Sequence, residues 1–96
     1  PKEVEAVLAS HPAIQEVAVF GIPDPKYGET VCAALVLREG AHLDQAGVDA
    51  FCSTRLAGYK RPRHIEFHPE LPKNAAGKVV KPELRKPHWA GQARTI

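Results

Sequence analysis

Two apolar runs constrain this chain more than any other feature in it. Residues 15–23 read QEVAVFGIP and residues 30–39 read TVCAALVLRE. No polar side chain interrupts Val17 to Ile22, and only cysteine interrupts the aliphatic run from Val31 to Leu37. Successive side chains of a strand face opposite ways, so a run that is apolar at every position must be covered on both faces. Neither run approaches the roughly 18 residues that a membrane span needs, so no transmembrane segment is expected. The chain must therefore put two strands inside a sheet and supply a layer for each face. Between them PDPKYGE, residues 23–29, is dense in turn residues. An antiparallel hairpin with a long exposed tip is the simplest joint.

The covering layers are legible on either side. PKEVEAVLASHP, residues 1–12, reads as a helix. Pro1 suits its first position, Glu3 and Glu5 suit its first turn, and Val4, Val7 and Leu8 share one face. Pro12 stops it. LDQAGVDAFCSTRLAGY, residues 43–59, reads as a second helix. Asp44 caps it, Leu43 staples to Val48, and Val48, Phe51, Cys52 and Leu56 line one face, with Gly58 as the stop. RHIEFH, residues 63–68, alternates as a third strand, and KPELRK, residues 81–86, opens a short helix with Pro82 at its start. PHWAGQARTI, residues 87–96, has no period and is expected to be a poorly ordered tail. The predicted order is α-β-β-α-β-α. It describes an α+β fold, a small three-stranded sheet with helices packed against it, over residues 1–86.

Ninety-six residues make one domain. A chain of this length buries about 60% or a little more of its unfolded surface, which leaves little room for a pocket of its own. Methionine is absent, which reads as a piece of something longer. Cys32 and Cys52 form no C-x-x-C pair and each lies in an apolar stretch. They are expected to be buried thiols in a reducing compartment, the cytoplasm.

The net charge of +2 conceals an asymmetry: residues 1–54 hold 8 acidic against 3 basic side chains, and residues 55–96 hold 10 basic against 3 acidic. The basic half suits an anionic partner. Its densest part is GYKRPR, residues 58–63, where Lys60, Arg61 and Arg63 adjoin Tyr59. An aromatic ring to stack on a base beside guanidiniums for phosphate suits a phosphorylated nucleotide. Single-stranded nucleic acid uses the same grammar, and a solvated turn is the plain alternative. The five histidines are scattered. His64 and His68, four apart on a strand, stand about 13 Å apart, too far for one ion, so no metal is expected.

LPKNAAGK, residues 71–78, ends on the G-K pair of a Walker A loop but is not one. Pro72 stands where the first glycine belongs, and Val79 follows Lys78 where Ser or Thr would hold Mg²⁺. Pro72 fixes the entry to this loop, Asn74, Ala75 and Ala76 are small and loose, and Gly77 can take a positive φ just before the lysine. Val79 and Val80 anchor the far side. Lys78 is thus an ammonium at the end of a short arm, suited to neutralising a developing phosphate or carboxylate charge and poorly suited to act as a base.

HPAIQEVAVFGIPDPKYGETVCAALVL, GYKRPRHIEF and LPKNAAGKVVKPELR, in that order and spacing, resemble the C-terminal domain of the adenylate-forming enzymes, among them acyl-CoA synthetases and aryl-CoA ligases. The resemblance runs from residue 1 to about 86. It implies a mobile lid on a larger N-terminal domain that holds ATP, with its Mg²⁺, and a carboxylic acid, fatty or aromatic. Lys78 would enter that active site during acyl-AMP formation, supported by Pro72 and Gly77. The lid would then rotate and coenzyme A would attack the adenylate. Carried over from CoA-ligating relatives, the CoA site would take Tyr59, Lys60, Arg61 and Arg63: Tyr59 would stack near the adenine, Arg61 and Arg63 would meet its phosphates, Tyr27 would sit nearby, and Gly28 would let its loop approach the pantetheine arm. The hinge and both substrate pockets would lie outside this chain, which alone would be inactive. Two alternatives stand beside this reading. One is the lid of a carrier-protein-dependent adenylation domain, which has no 3′-phosphoadenosine to bind. The other is a small basic nucleic-acid module, disfavoured by strands too apolar for an open binding sheet.

Overall fold

In the computed structural model, which describes residues 2–89, the two apolar runs pair as expected. β1 (Ile14–Asp24) and β2 (Gly28–Leu37) form an antiparallel ladder from Ile14↔Leu37 to Asp24↔Gly28. β3 (His64–Phe67) lies on the other side of β2, parallel to it, so the sheet order is β1-β2-β3 with β2 at the centre. The helices are α1 (Lys2–Ala9), α2 (Gln45–Ser53) and α3 (Lys81–Trp89), and the observed order is α-β-β-α-β-α. No described helix is long and apolar enough to cross a membrane.

The continuous burial of Cys32 to Val36 follows from this position, because each face of β2 has its own cover. On one face Val19, Ala33, Leu35 and Ile65 meet Val4 and Leu8 of α1 and Val48, Cys52 and Leu56 from the α2 segment. On the other, Ala18, Phe20, Ile22, Cys32, Ala34 and Val36 meet Leu71, Val79 and Leu84. Leu8 and Leu35 are wholly buried, and each such side chain contributes about 1.5–3 kcal/mol. Cys32 and Cys52 are buried thiols on opposite faces of the sheet, so the sheet itself keeps them from pairing.

Three boundaries differ from the sequence reading. The hairpin tip is short: the ladder runs to Asp24↔Gly28, leaving three residues, Pro25 to Tyr27, outside it. Asp24 Oδ1 accepts the Lys26 and Tyr27 amides, and Gly28 at φ +84° closes the turn, a role that needs glycine. The second helix stops at Ser53, before Gly58. Asp44 caps its start as expected, accepting the Gly47 amide at 2.8 Å. At its end both Arg55 and Leu56 donate to the Cys52 carbonyl, and a single 3-10 turn, Gly58–Lys60, follows. Burying Leu56 at the end of the helical face is what bends the chain there. The third helix runs on through Pro87, His88 and Trp89, because the Trp89 indole donates to the Gly21 carbonyl and His88 reaches Glu66. Residues 90–96 of the expected tail, and Pro1, lie outside the described residues.

The outer edge of β1 is closed by charged side chains. Glu5 of α1 accepts the Val19 amide at 2.8 Å and pairs with Lys81 of α3 at 2.8 Å. Lys73 pairs with Glu16 at 2.7 Å. Partial burial works to raise the Glu5 carboxyl, but the Lys81 hydrogen bond, the Val19 amide and the Lys81 charge outweigh it and hold the carboxyl below its usual value. A carboxylate lowered by folding stabilises the fold above its ordinary pKa and loses that contribution as pH falls through the lowered value. Glu5→Gln keeps an acceptor for Val19 and removes the charge. Its Tm is expected to fall below that of the wild type near neutral pH, by the equivalent of about 1 kcal/mol, and to converge with it in acid; a constant gap across the titration would refute this.

Candidate functional site

The loop that carries Lys78 is a hairpin held from within. Lys73 and Val79 form an antiparallel bridge, the Asn74 amide donates to the Lys78 carbonyl at 2.9 Å, and the Val80 amide donates to the Pro72 carbonyl at 2.9 Å. Asn74 Oδ1 accepts the amides of Ala76 at 2.9 Å and Lys78 at 3.1 Å. The Gly77 amide donates to the Asn74 carbonyl, and Gly77 sits at φ +81°, the positive value foreseen for it. Asn74 is therefore a staple, not a loose small residue; its pattern of local side-chain acceptor bonds is the Asx habit that the sequence could have signalled. Val79 packs into the core beneath. Lys73 and Lys81 on either side are spent on Glu16 and Glu5, whereas Lys78 is exposed and has no ion pair among the described residues. The arm presents one cation.

A second feature lies at the hairpin end of the sheet. Tyr27, Tyr59, Arg61 and Arg63 line one open cleft of about 270 Å³, with Thr30 and Val31 of β2 as its floor and Glu29 at its side. The two tyrosines are 59% and 80% exposed, far beyond what packing requires of an aromatic ring. Arg63 lies over the Tyr27 ring, its Cζ 5.4 Å from the centroid, and its amide donates to the Val31 carbonyl. Arg61 is half-buried, and its Nε is buried without a hydrogen-bond partner among the described residues, an arrangement that costs stability and that a shift of the side chain onto a ligand would relieve. Lys60 does not join this group. It turns to Glu3 of α1 at 2.6 Å and borders an adjoining cleft of about 310 Å³. Gly28 stands at the tip beside Tyr27.

The two features stand apart. The Lys73–Glu16 pair fixes the arm near the start of β1, while the cleft gathers around residues paired with Gly21 to Asp24 at its far end. Five to eight residues of strand separate them, or roughly 17–27 Å.

A third grouping was not visible as a pattern along the chain. His64 and Glu66 share one face of β3, His68 follows directly after its end, and parallel pairing sets His64 beside Cys32. His68 Nε2 lies 2.9 Å from Glu66 Oε1, His88 Nε2 of α3 lies 2.5 Å from Oε2, and His64 Nε2 lies 3.8 Å from Oε2. Burial works to raise the Glu66 carboxyl, but hydrogen bonding to His68 and His88 and their charges hold it below its usual value. Burial, with the Glu66 charge adding to it, pushes the Cys32 thiol up to about 12. The period-2 spacing of HIEFH signalled the shared face; nothing signalled that Cys32 and His88 would close on it.

The family model of the AMP-binding enzyme C-terminal domain matches residues 3–78. A long-chain-fatty-acid–CoA ligase of Bacillus subtilis is 51% identical over 88% of this chain. A 2-succinylbenzoate–CoA ligase of Geobacillus kaustophilus is 46% identical over 90% of it. A solved fatty acyl CoA synthetase of Mycobacterium tuberculosis superposes with a TM-score of 0.83 at 40% identity over 95% of the chain. The match covers 15% and 18% of the two curated relatives and 18% of the solved one, so the chain spans less than a fifth of each.

Proposed function

The chain belongs to the AMP-binding enzyme C-terminal domain family, and from that premise we propose that it is the mobile lid of an ATP-dependent acyl-CoA ligase, working on a larger N-terminal domain of the same polypeptide. The observation that carries this is the separation of the two features. The single cation of the arm and the aromatic–guanidinium cleft occupy opposite ends of β1, so one docked orientation cannot present both to one active site. Two half-reactions served in turn by two faces of a rotating domain account for that layout.

In the first half-reaction Lys78 enters the neighbouring domain's pocket. There it balances the negative charge that builds between the attacking carboxylate and the α-phosphate of ATP, which arrives with its Mg²⁺ as substrate. The acid is left as acyl-AMP and pyrophosphate departs. Pro72 and Gly77 shape the arm, and Asn74 holds the Lys78 backbone. In the second, the cleft faces the pocket. Tyr59 and Tyr27 stack on the adenine, Arg61 and Arg63 take the phosphates, and the glycine tip at Gly28 leaves the pantetheine arm room to deliver its thiol to the acyl carbon, releasing AMP. Lys60, tied to Glu3, contributes general positive potential. The buried thiols suit a reducing compartment, in keeping with the cytoplasm.

The test is to assay the full-length protein in two parts, pyrophosphate release from ATP and a panel of fatty and aromatic acids, and thioester formation from supplied acyl-AMP and CoA. Both are expected. Adenylate formed but passed only to a carrier protein's phosphopantetheine would overturn the CoA assignment. Salt-dependent binding of generic oligonucleotides with no adenylation would favour the nucleic-acid module. Asn74→Ala, which releases the loop backbone, is expected to slow adenylation about tenfold, or ~1–2 kcal/mol of lost preorganisation, and to spare thioester formation. Asn74→Asp, which keeps an acceptor at the same atom, should recover most of it; no difference between the two variants would show that the staple does not position Lys78.

A further inference from the structure

We propose that Cys32, Glu66, His88 and His64 form a zinc-binding site that ties β2, β3 and α3 together. Cys32 Sγ, a Glu66 carboxylate oxygen and a His88 ring nitrogen lie within 4.8 Å of one another. Zinc bonds of roughly 2.0–2.3 Å to sulfur, nitrogen and oxygen in a tetrahedron space neighbouring ligand atoms about 3.3–3.7 Å apart. Glu66 and His88, whose oxygen and nitrogen now share a hydrogen bond, would open by about 1 Å, and the sulfur would close by no more than about 1–1.5 Å. His64 offers the fourth ligand. Its Nε2 is 3.8 Å from Glu66 Oε2, its ring meets the His88 ring edge-on at 5.7 Å, and its side chain is half-exposed, so a rotation toward the other three would complete the set.

The donor set selects the ion. One thiolate, two imidazoles and one carboxylate match the borderline-soft preference of Zn²⁺ and not the all-oxygen preference of Mg²⁺ or Ca²⁺. His68 is the outer partner: it lies 2.9 Å from the second carboxylate oxygen and fixes the plane of Glu66, as partners beyond the ligands of zinc sites commonly do. Simple packing does not call for this arrangement. A carboxylate with two oxygens has collected three imidazoles, and a wholly buried sulfur stands against them. Burial and the Glu66 charge favour the protonated thiol where no cation is present. A divalent cation reverses that balance, since a coordinating thiol is deprotonated outright and its proton passes to solvent.

Four ligands close the coordination shell, so the site is structural. Its consequence lies in what α3 carries. The helix begins at Lys81, two residues beyond the short strand bridge at Val79 that ends the Lys78 loop. Pinning α3 to the sheet at His88 stiffens the base of the arm.

The test uses the full-length protein stripped with chelator and titrated with Co²⁺, then Zn²⁺. One Co²⁺ per chain should bind with the visible bands of tetrahedral cobalt and an ultraviolet thiolate-to-cobalt band, and Zn²⁺ should displace it and raise Tm. The thiolate band should vanish in Cys32→Ala. His64→Ala, at a half-exposed position that the core does not use, should weaken Zn²⁺ affinity about 10–100-fold while leaving the metal-free Tm unchanged. It keeps the test decisive if Cys32→Ala fails to fold. Absence of the thiolate band, its survival in Cys32→Ala, or unchanged affinity in His64→Ala would each overturn the proposal. These readouts do not depend on ligase activity, so they stand whether or not the CoA reading holds.

Discussion

Lys78→Ala in the full-length protein is expected to slow the proposed acyl-AMP formation by about 10²–10³, or ~3–4 kcal/mol, the effect of removing one preorganised charge from a developing oxyanion. The size follows from how the lysine is held. Its neighbours Lys73 and Lys81 are committed to Glu16 and Glu5, so no adjacent ammonium can substitute without breaking the edge of the sheet. Asn74 bonds the Lys78 amide, and Gly77 takes the positive φ that turns the chain into it. The cation therefore reaches its place with little left to reorganise. Thioester formation from supplied acyl-AMP should stay near wild type, because the proposed rotation takes Lys78 out of the pocket. Lys78→Arg should recover little, since a planar fork does not occupy the position of a compact ammonium. Adenylation near the wild-type rate in Lys78→Ala would remove the lysine from the mechanism.

The second large effect is expected at Arg61. The residue is half-buried and carries a buried Nε with no partner among the described residues. A charge-assisted hydrogen bond to phosphate is worth about 1.5–3 kcal/mol, so Arg61→Ala should raise the KM for CoA about tenfold to a hundredfold and leave pyrophosphate release unchanged. Arg63 lies over Tyr27 and is exposed, so solvent screens its charge; Arg63→Ala should raise that KM several-fold. Lys60→Ala should do least, because its ammonium is already engaged by Glu3. The graded order is the diagnostic. Equal losses in both half-reactions, or Lys60 outranking Arg61, would place CoA elsewhere.

Much of the fold was legible because one residue pattern forces one answer. Apolar side chains at every position of two consecutive strands require cover on both faces, and the helical faces of Val4 and Leu8 and of Val48 and Cys52 were there to give it. Gly77 was legible for a similar reason: glycine takes a positive φ freely, and the loop uses that freedom just before the lysine. The ends of elements were less so. Leu56 reads as the next turn of a helix, yet it reaches the core from a bend beyond Thr54. Trp89 reads as tail, yet its indole finds a strand carbonyl 68 residues away in sequence. Both endings are decided by partners that no local window contains.

The candidate site divides in the same way. GYKRPR announces a basic cluster, and its two arginines do share a cleft with Tyr27, but the pairing of Lys60 with Glu3 across 57 residues was invisible. Taken alone, the chain determined its layers, its central strands, its arm and the lysine on it, because local periodicity and turn chemistry carry that information. Only the tertiary structure decided which cations are spent and which are left, that the arm and the cleft stand at opposite ends of β1, and that Cys32, Glu66 and His88 meet at one point. Those are distances between elements, and distances between elements are set by how the faces of the sheet pack.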